Sequence, residues 1–117
     1  MDKKGKDFWG PSYWKSMHSM AVTYTYSSDN AGAVKAYFNS LVFLLPCKEC
    51  KANLKIKLKL YPVDTYLENN NTLFFYTYFL HDLVNQAIGK KSPPYDDVKK
   101  EYFSALSSEC KGCDVTK

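Results

Sequence analysis

Four cysteines stand in two identical spacings, Cys47-x-x-Cys50 and Cys110-x-x-Cys113. Two thiols three residues apart can close a disulfide. In a chain with no evident export signal such pairs read as redox-active or metal-binding rather than as structural staples. The first pair follows Pro46, at what reads as a helix start. There the unpaired N–H groups of the first turn, with Lys48 and Lys51 beside them, stabilise a thiolate, the species that attacks in disulfide exchange. Zinc is the competing chemistry, with all four cysteines as ligands. The two pairs are separated by 59 residues, far beyond the usual ribbon spacing of about 15–20. A thioredoxin-like use of the pair would need alternating strands and helices, a pattern this chain lacks.

The two histidines are the other residues whose placement suggests chemistry. His18 follows Trp14 by four positions, and Asn85 follows His81 by four. Each pair therefore shares one face of a helix. Both histidines lie in aromatic surroundings, and two readings stay open. They are hydrogen-bonded core residues, or they line a slot that grips a planar aromatic ligand between helices. Lys90 and Lys91 follow closely enough to neutralise a diphosphate on such a ligand.

Helices must position these groups. Tyr13/Trp14, Met17, Met20/Ala21 and Tyr24 recur at three-to-four spacing after Gly10-Pro11-Ser12, and proline suits a first helical turn. Asp29 or Asn30 is expected to cap a second helix carrying Val34, Tyr37/Phe38, Leu41/Val42 and Leu45, which Pro46 ends. The third element, Cys47 to about Leu60, is divided. Lys55 to Leu60 alternates like a strand, but Lys and Leu are good helix formers, and the segment is read as helix. After the polar loop Glu68–Asn71, a strongly apolar helix is expected from Thr72 to Ile88, the most buried of the set, with Gly89 ending it. The Asn70-Asn71-Thr72 sequon reads as this helix's start rather than as a glycosylation site. Beyond Pro93-Pro94, the residues Tyr95, Val98, Tyr102 and Leu106 describe a short fifth helix. The expected fold is all-α, a four- or five-helix bundle. Residues 1–8 form an N-terminal extension, 9–106 the domain, and 107–117 a polar tail carrying the second cysteine pair.

Composition narrows the function classes. The sixteen basic residues are all lysine, against twelve acidic ones, for a net charge of +4. Bidentate readout of bases and phosphates favours arginine, so no nucleic-acid partner is expected. No apolar run is long enough to span a membrane. The charged start, Met1 to Asp7, leads into no apolar signal core, so no secretory leader is expected either. The 16% aromatic content suits a firm core or a stacking pocket.

Three blocks together carry a resemblance: Trp14-x-x-x-His18, the Cys47-x-x-Cys50 pair after Leu45-Pro46, and the run from His81 through Asn85 to Lys90. In order and distance they resemble the Erv/ALR sulfhydryl oxidases, from residue 9 to about 106. The opening Trp9-Gly10-Pro11 is similar to the minimal members encoded by large DNA viruses. The resemblance implies a four-helix bundle with a short fifth helix, FAD at the bundle mouth, and a homodimer. It implies Cys50 against the flavin and Cys47 facing incoming thiols, O2 as acceptor with H2O2 as product, and no metal. Gly10, Tyr13, Trp14 and His18 would lie on the adenine side, with Tyr24 at a frequent aromatic position. His81 and Asn85 would line the FAD, with Lys90 near its phosphates, and Tyr95, Lys99 and Tyr102 would contribute from the last helix. Its clients would be thiol-bearing proteins, a thioredoxin-like carrier among them, in the host cytoplasm or the virion.

Three departures stand out. Pro11 occupies a position where the family often has Arg, which leaves phosphate contacts to Lys15 or Lys90. The usual His-Asn pair reads His81-Asp82, and the later helices lack the cysteines of a structural disulfide. Cys110 and Cys113 are open between a shuttle disulfide on a mobile arm and a local tail pair. The competing functions are a non-enzymatic zinc-binding interaction module and a plain helical adaptor whose aromatics are only core.

Overall fold

The computed structural model describes residues 5–113, with side chains through Leu106. It has five α-helices: α1 (Lys6–Val22), α2 (Ser28–Leu44), α3 (Lys48–Leu60), α4 (Asn70–Ala87) and α5 (Tyr95–Cys113). A 3-10 turn, Val63–Tyr66, joins α3 to α4. No strand occurs among the described residues, as expected of an all-α chain. The strand-like alternation at Lys55–Leu60 is carried on helix α3, where it leaves Ile56 and Leu60 largely exposed.

Several boundaries differ from the sequence reading, each for a capping reason. Helix α1 begins at Lys6, so Pro11 lies inside it rather than at its first turn. Proline cannot donate the backbone bond that Asp7 would receive there. Helix α2 is capped by Ser27, whose hydroxyl accepts from the Asn30 N–H at 2.9 Å, and not by Asp29 or Asn30. Helix α4 starts two residues before Thr72, because Asn69 and Thr72 form a reciprocal capping box. Asn69 Oδ1 accepts from the Thr72 N–H at 2.9 Å, and the Asn69 N–H donates back to Thr72 Oγ1 at 3.2 Å. The sequon read as a helix start is therefore one. Gly89, at φ +77°, ends α4. The Lys90 N–H reaches the Asn85 carbonyl at 2.8 Å and the Gly89 N–H the Gln86 carbonyl at 3.3 Å, the paired closure that a left-handed glycine permits. Helix α5 is 19 residues long rather than short, and its backbone runs through the first part of the segment read as a tail. The side chains of Cys110 and Cys113, open between a shuttle disulfide and a local tail pair, lie outside the described residues.

The core is the meeting of apolar helix faces. Val34, Phe38, Leu41 and Leu45 from α2 and its cap pack with Met17 and Ala21 of α1 and with Leu73, Phe74, Tyr76 and Leu80 of α4. Helix α4 buries six side chains, more than any other described helix, whereas α3 fully buries none. Burying a side chain such as Phe38 or Phe74 stabilises by roughly 1.5–3 kcal/mol. The 3-10 turn adds Val63 and Leu67. Two tyrosines bury their rings and spend their hydroxyls on backbone carbonyls: Tyr24 on Leu67 at 2.8 Å and Tyr76 on Tyr61 at 2.6 Å. Helix α1 packs chiefly on α4, and α2 on α3. The N-terminus of α3 and the C-terminal half of α4 thereby come to the same end of the bundle.

Candidate active site

Cys47 and Cys50 form a disulfide at the start of α3. Pro46 cannot continue α2, and Cys47 takes an extended backbone as the N-cap of α3. Its sulfur accepts from the Cys50 N–H at 3.2 Å, the place a serine or asparagine oxygen would normally fill. Both cysteines are half-buried. The first-turn N–H groups favour negative charge on either sulfur once the bond opens. Sulfurs joined to each other do not ligate zinc, and among the described residues no cluster of three or more His, Cys, Asp or Glu could hold a metal.

A cavity of about 710 Å³ opens beside this disulfide. It draws on all five helices, and its lining includes Trp9, Tyr13, Trp14, Cys50, His81 and Tyr102. Of the residues singled out from sequence, Gly10, Asn85 and Lys90 also line it. Five do not. Cys47 sits outside the lining, at the cap. His18 is 2% exposed and lies behind His81. Tyr24 is a core residue just past the end of α1, with its hydroxyl committed to Leu67. Lys99 packs over the rings of Tyr95 and Phe103, with its Nζ 6.0 and 5.5 Å from their centroids, and neither Lys99 nor Tyr95 lines the cavity.

The wall is aromatic and layered. The rings of Trp14 and His81 lie nearly parallel, 4.2 Å apart at 6°. Trp9 meets Tyr13 edge to face at 5.4 Å, and Tyr102 meets His18 in the same manner at 5.2 Å. Behind the wall, His18 Nδ1 lies 2.8 Å from Thr77 Oγ1, and His18 Nε2 lies 3.3 Å from His81 Nδ1. Burial pushes both imidazoles down to about 4, helped at His18 by His81 and at His81 by Lys90. Both rings are therefore neutral at neutral pH.

The rim is cationic. Lys6, Lys15, Lys57 and Lys90 line it against only Asp7 and Glu101. Lys90 sits 3.8 Å from Asp7, both largely exposed. The departure at Asp82 has a structural use. Asp82 accepts from the Ser92 hydroxyl at 2.6 Å and from the Gln86 amide at 2.7 Å, while the Asn85 amide donates to Ser92 at 3.0 Å. This network holds the loop after α4, and with it Lys90, against the site.

Sequence reasoning missed Trp9, Asn53 and Lys57 in the lining, and Thr77 behind it. Asn53 and Lys57 follow Cys50 by three and seven positions, a helical spacing that could have found them. Thr77 precedes His81 by four, but nothing local marks its partner 59 residues earlier.

Fold and site together define a helical-bundle protein suited to thiol–disulfide exchange beside a cavity for a flat ring. The Erv1 / Alr family model matches residues 11–104, and the chain belongs to that family. It is 32% identical over 106 residues to a protein of Acanthamoeba polyphaga mimivirus named as a probable FAD-linked sulfhydryl oxidase, covering 88% of this chain and 74% of that one. It is 27% identical over 103 residues to the FAD-linked sulfhydryl oxidase of African swine fever virus (isolate Warthog/Namibia/Wart80/1980), covering 84% and 82%. The fold is similar to the crystal structure of the yeast Erv1 core, with a TM-score of 0.78 at 20% identity over 87% of this chain and 86% of that one.

Proposed function

We propose that this chain is a FAD-linked sulfhydryl oxidase that makes disulfides in thiol-bearing proteins and passes the electrons to O2, giving H2O2. One observation carries the reading: Cys50 of a helix-capping disulfide forms part of the wall of an aromatic, lysine-rimmed cavity of about 710 Å³. The residues present fit FAD. Flat rings suit a flat ligand, the lysine rim suits a diphosphate, and the volume lies within the range of roughly 300–1,000 Å³ typical of ligand sites. Trp14, His81, Asn85 and Tyr102 would hold the rings, and Lys15 and Lys90 the phosphates.

The chain's own part is thiol exchange. A client thiolate attacks Cys47, which the cavity does not enclose. A new bond forms between client and Cys47, the Cys47–Cys50 bond breaks, and Cys50 leaves as a thiolate stabilised by the first turn of α3. A second client thiol then displaces Cys47, releasing an oxidised client and a reduced Cys47/Cys50 pair. When bound, FAD supplies the two-electron acceptor that reoxidises this pair and the route to oxygen. Neutral His81 and the aromatic wall would exclude water around Cys50 and orient the ring.

The viral sources of the relatives support a place in the host cytoplasm or the virion. Among the described residues no helix is long and apolar enough to cross a membrane. A homodimer belongs to the same reading, and the exposed Phe43 and Leu44 beside the α2–α3 corner support one.

The visible spectrum of the purified protein and its oxygen uptake with a dithiol test this function. Flavin absorbance, with uptake that Cys50→Ala abolishes, is the expected result. Colourless protein with stoichiometric zinc would instead establish the metal-binding alternative.

A further inference from the structure

Thr77 lies in the interior of α4, fully buried, and has no part in the chemistry above. Its hydroxyl has two neighbours at 2.8 Å, the carbonyl oxygen of Phe74 and Nδ1 of His18. A carbonyl only accepts, so the hydroxyl proton goes to Phe74, and Thr77 Oγ1 turns a lone pair to His18. His18 must then carry its proton on Nδ1. A neutral imidazole has one N–H, so His18 Nε2 is bare, and it lies 3.3 Å from His81 Nδ1. His81 in turn carries its proton on Nδ1, and its Nε2 is left as an acceptor.

The reverse chain, with each proton moved across its bond, would leave two oxygens facing each other at 2.8 Å with no hydrogen between them. The observed geometry therefore selects one direction. His81 lines the cavity while His18 does not. His81 Nε2 has no protein partner among the described residues, and no described side-chain nitrogen is buried without one, so this nitrogen sits at the accessible edge of the ring.

We propose that Thr77 is a positioning residue that acts through His18 to fix the tautomer of His81, so that the cavity wall offers a hydrogen-bond acceptor to a donor group of the bound cofactor. The ligand side of this statement rests on the flavin-nucleotide reading of the cavity; the tautomer side does not. An N–H or O–H of the ligand is accepted at His81 Nε2, and a ligand presenting only lone pairs there is refused.

The chain has only two histidines, so labelling them with nitrogen-15 leaves four ring signals to assign. Long-range proton–nitrogen correlation on the cofactor-free protein at neutral pH is expected to place both Nδ1 atoms in the protonated range and both Nε2 atoms in the bare range. A protonated Nε2 on either ring overturns the relay. Thr77→Val keeps the shape and removes the acceptor, so both rings should shift towards the other tautomer. FAD affinity, followed by flavin fluorescence, should weaken roughly three- to tenfold, the loss of one neutral hydrogen bond. Thr77→Ser should restore both readouts. Unchanged nitrogen shifts in Thr77→Val would also overturn the relay. Wild-type protein with the expected shifts but no affinity for FAD would leave the relay standing and overturn the oxidase reading.

Discussion

Helices α3 and α4 contribute to the same cavity and are built on opposite terms. Helix α4 buries six side chains and is fastened at both ends, by the Asn69–Thr72 box and by the closure at Gly89. Helix α3 buries none fully, has a sulfur for its cap, and carries Ile56 and Leu60 exposed. The group that must open and reclose thus sits on a helix that fully buries no side chain. The groups that must stay still to hold a ring sit on the described helix that buries the most. Stability and chemistry are separated along the chain, and substitutions should separate them too.

The largest expected effect is chemical. Cys50→Ser should lower dithiol-driven oxygen uptake by roughly 10³-fold or more, since no other described sulfur can take its role. Its loop is so short that losing the disulfide should cost at most about 2 kcal/mol of folding stability. Oxygen-electrode rates beside urea denaturation check both halves. Retention of a tenth of the activity would end the assignment of Cys50.

The converse substitution lies on α4. Phe74 is fully buried and packs against His18, Tyr95, Tyr102 and Phe103. Phe74→Ala should destabilise by about 3–5 kcal/mol through lost burial and a residual cavity. Ile56→Ala on α3, where the side chain is 57% exposed, should stay within about 0.5 kcal/mol. Equal urea midpoints for the two variants would erase the contrast between the helices.

The same contrast explains what was legible in the sequence. Val34, Phe38, Leu41 and Leu45 repeat at the helical period because one face of α2 meets the core, and a buried stripe is visible without coordinates. The Cys47-Pro46 corner was legible because proline and a paired cysteine act locally. Capping was less so: Ser27, Asp29 and Asn30 are all competent caps, and the choice falls on Ser27 through its backbone angles. Tyr24 resembled a site residue and is a core residue, since its hydroxyl is claimed by a carbonyl 43 positions away. Thr77 was invisible for the same reason, a polar residue in an apolar run whose partner is long-range. The full length of α5 was hidden because Ser107 to Cys113 lacks an apolar stripe.

Acid should act through the histidines of the well-packed region. Each is held below its ordinary value, at about 4, mainly by burial. Above about pH 6.5 both the folded and the unfolded chain carry neutral rings, and stability does not depend on them. Between about 6.5 and 4 the unfolded chain binds protons that the folded chain refuses, so stability falls as pH falls. The loss should reach about 2–4 kcal/mol by pH 4, less at the partly exposed His81 than at His18. His18→Gln should flatten much of it. Denaturation midpoints measured from pH 8 to pH 4 check this, and a profile that stays level through pH 5 in the wild type contradicts it.

The smallest effect tests the fastening of α4 itself. Asn69 satisfies the Thr72 N–H, while Thr72 Oγ1 returns the favour to the Asn69 N–H. Asn69→Ala removes the side-chain acceptor and leaves one first-turn donor to water, which costs about 1 kcal/mol. The capping box is at the opposite end of α4 from His81 and Asn85, which lie 12 and 16 positions after Asn69. Affinity for FAD should therefore stay within about twofold of wild type while the thermal midpoint drops by several degrees. A loss of cofactor affinity as large as that expected for Thr77→Val would mean that the frame of α4 and its binding face are coupled along the whole helix. The separation of duties between α3 and α4 would then hold between the two helices but fail within α4.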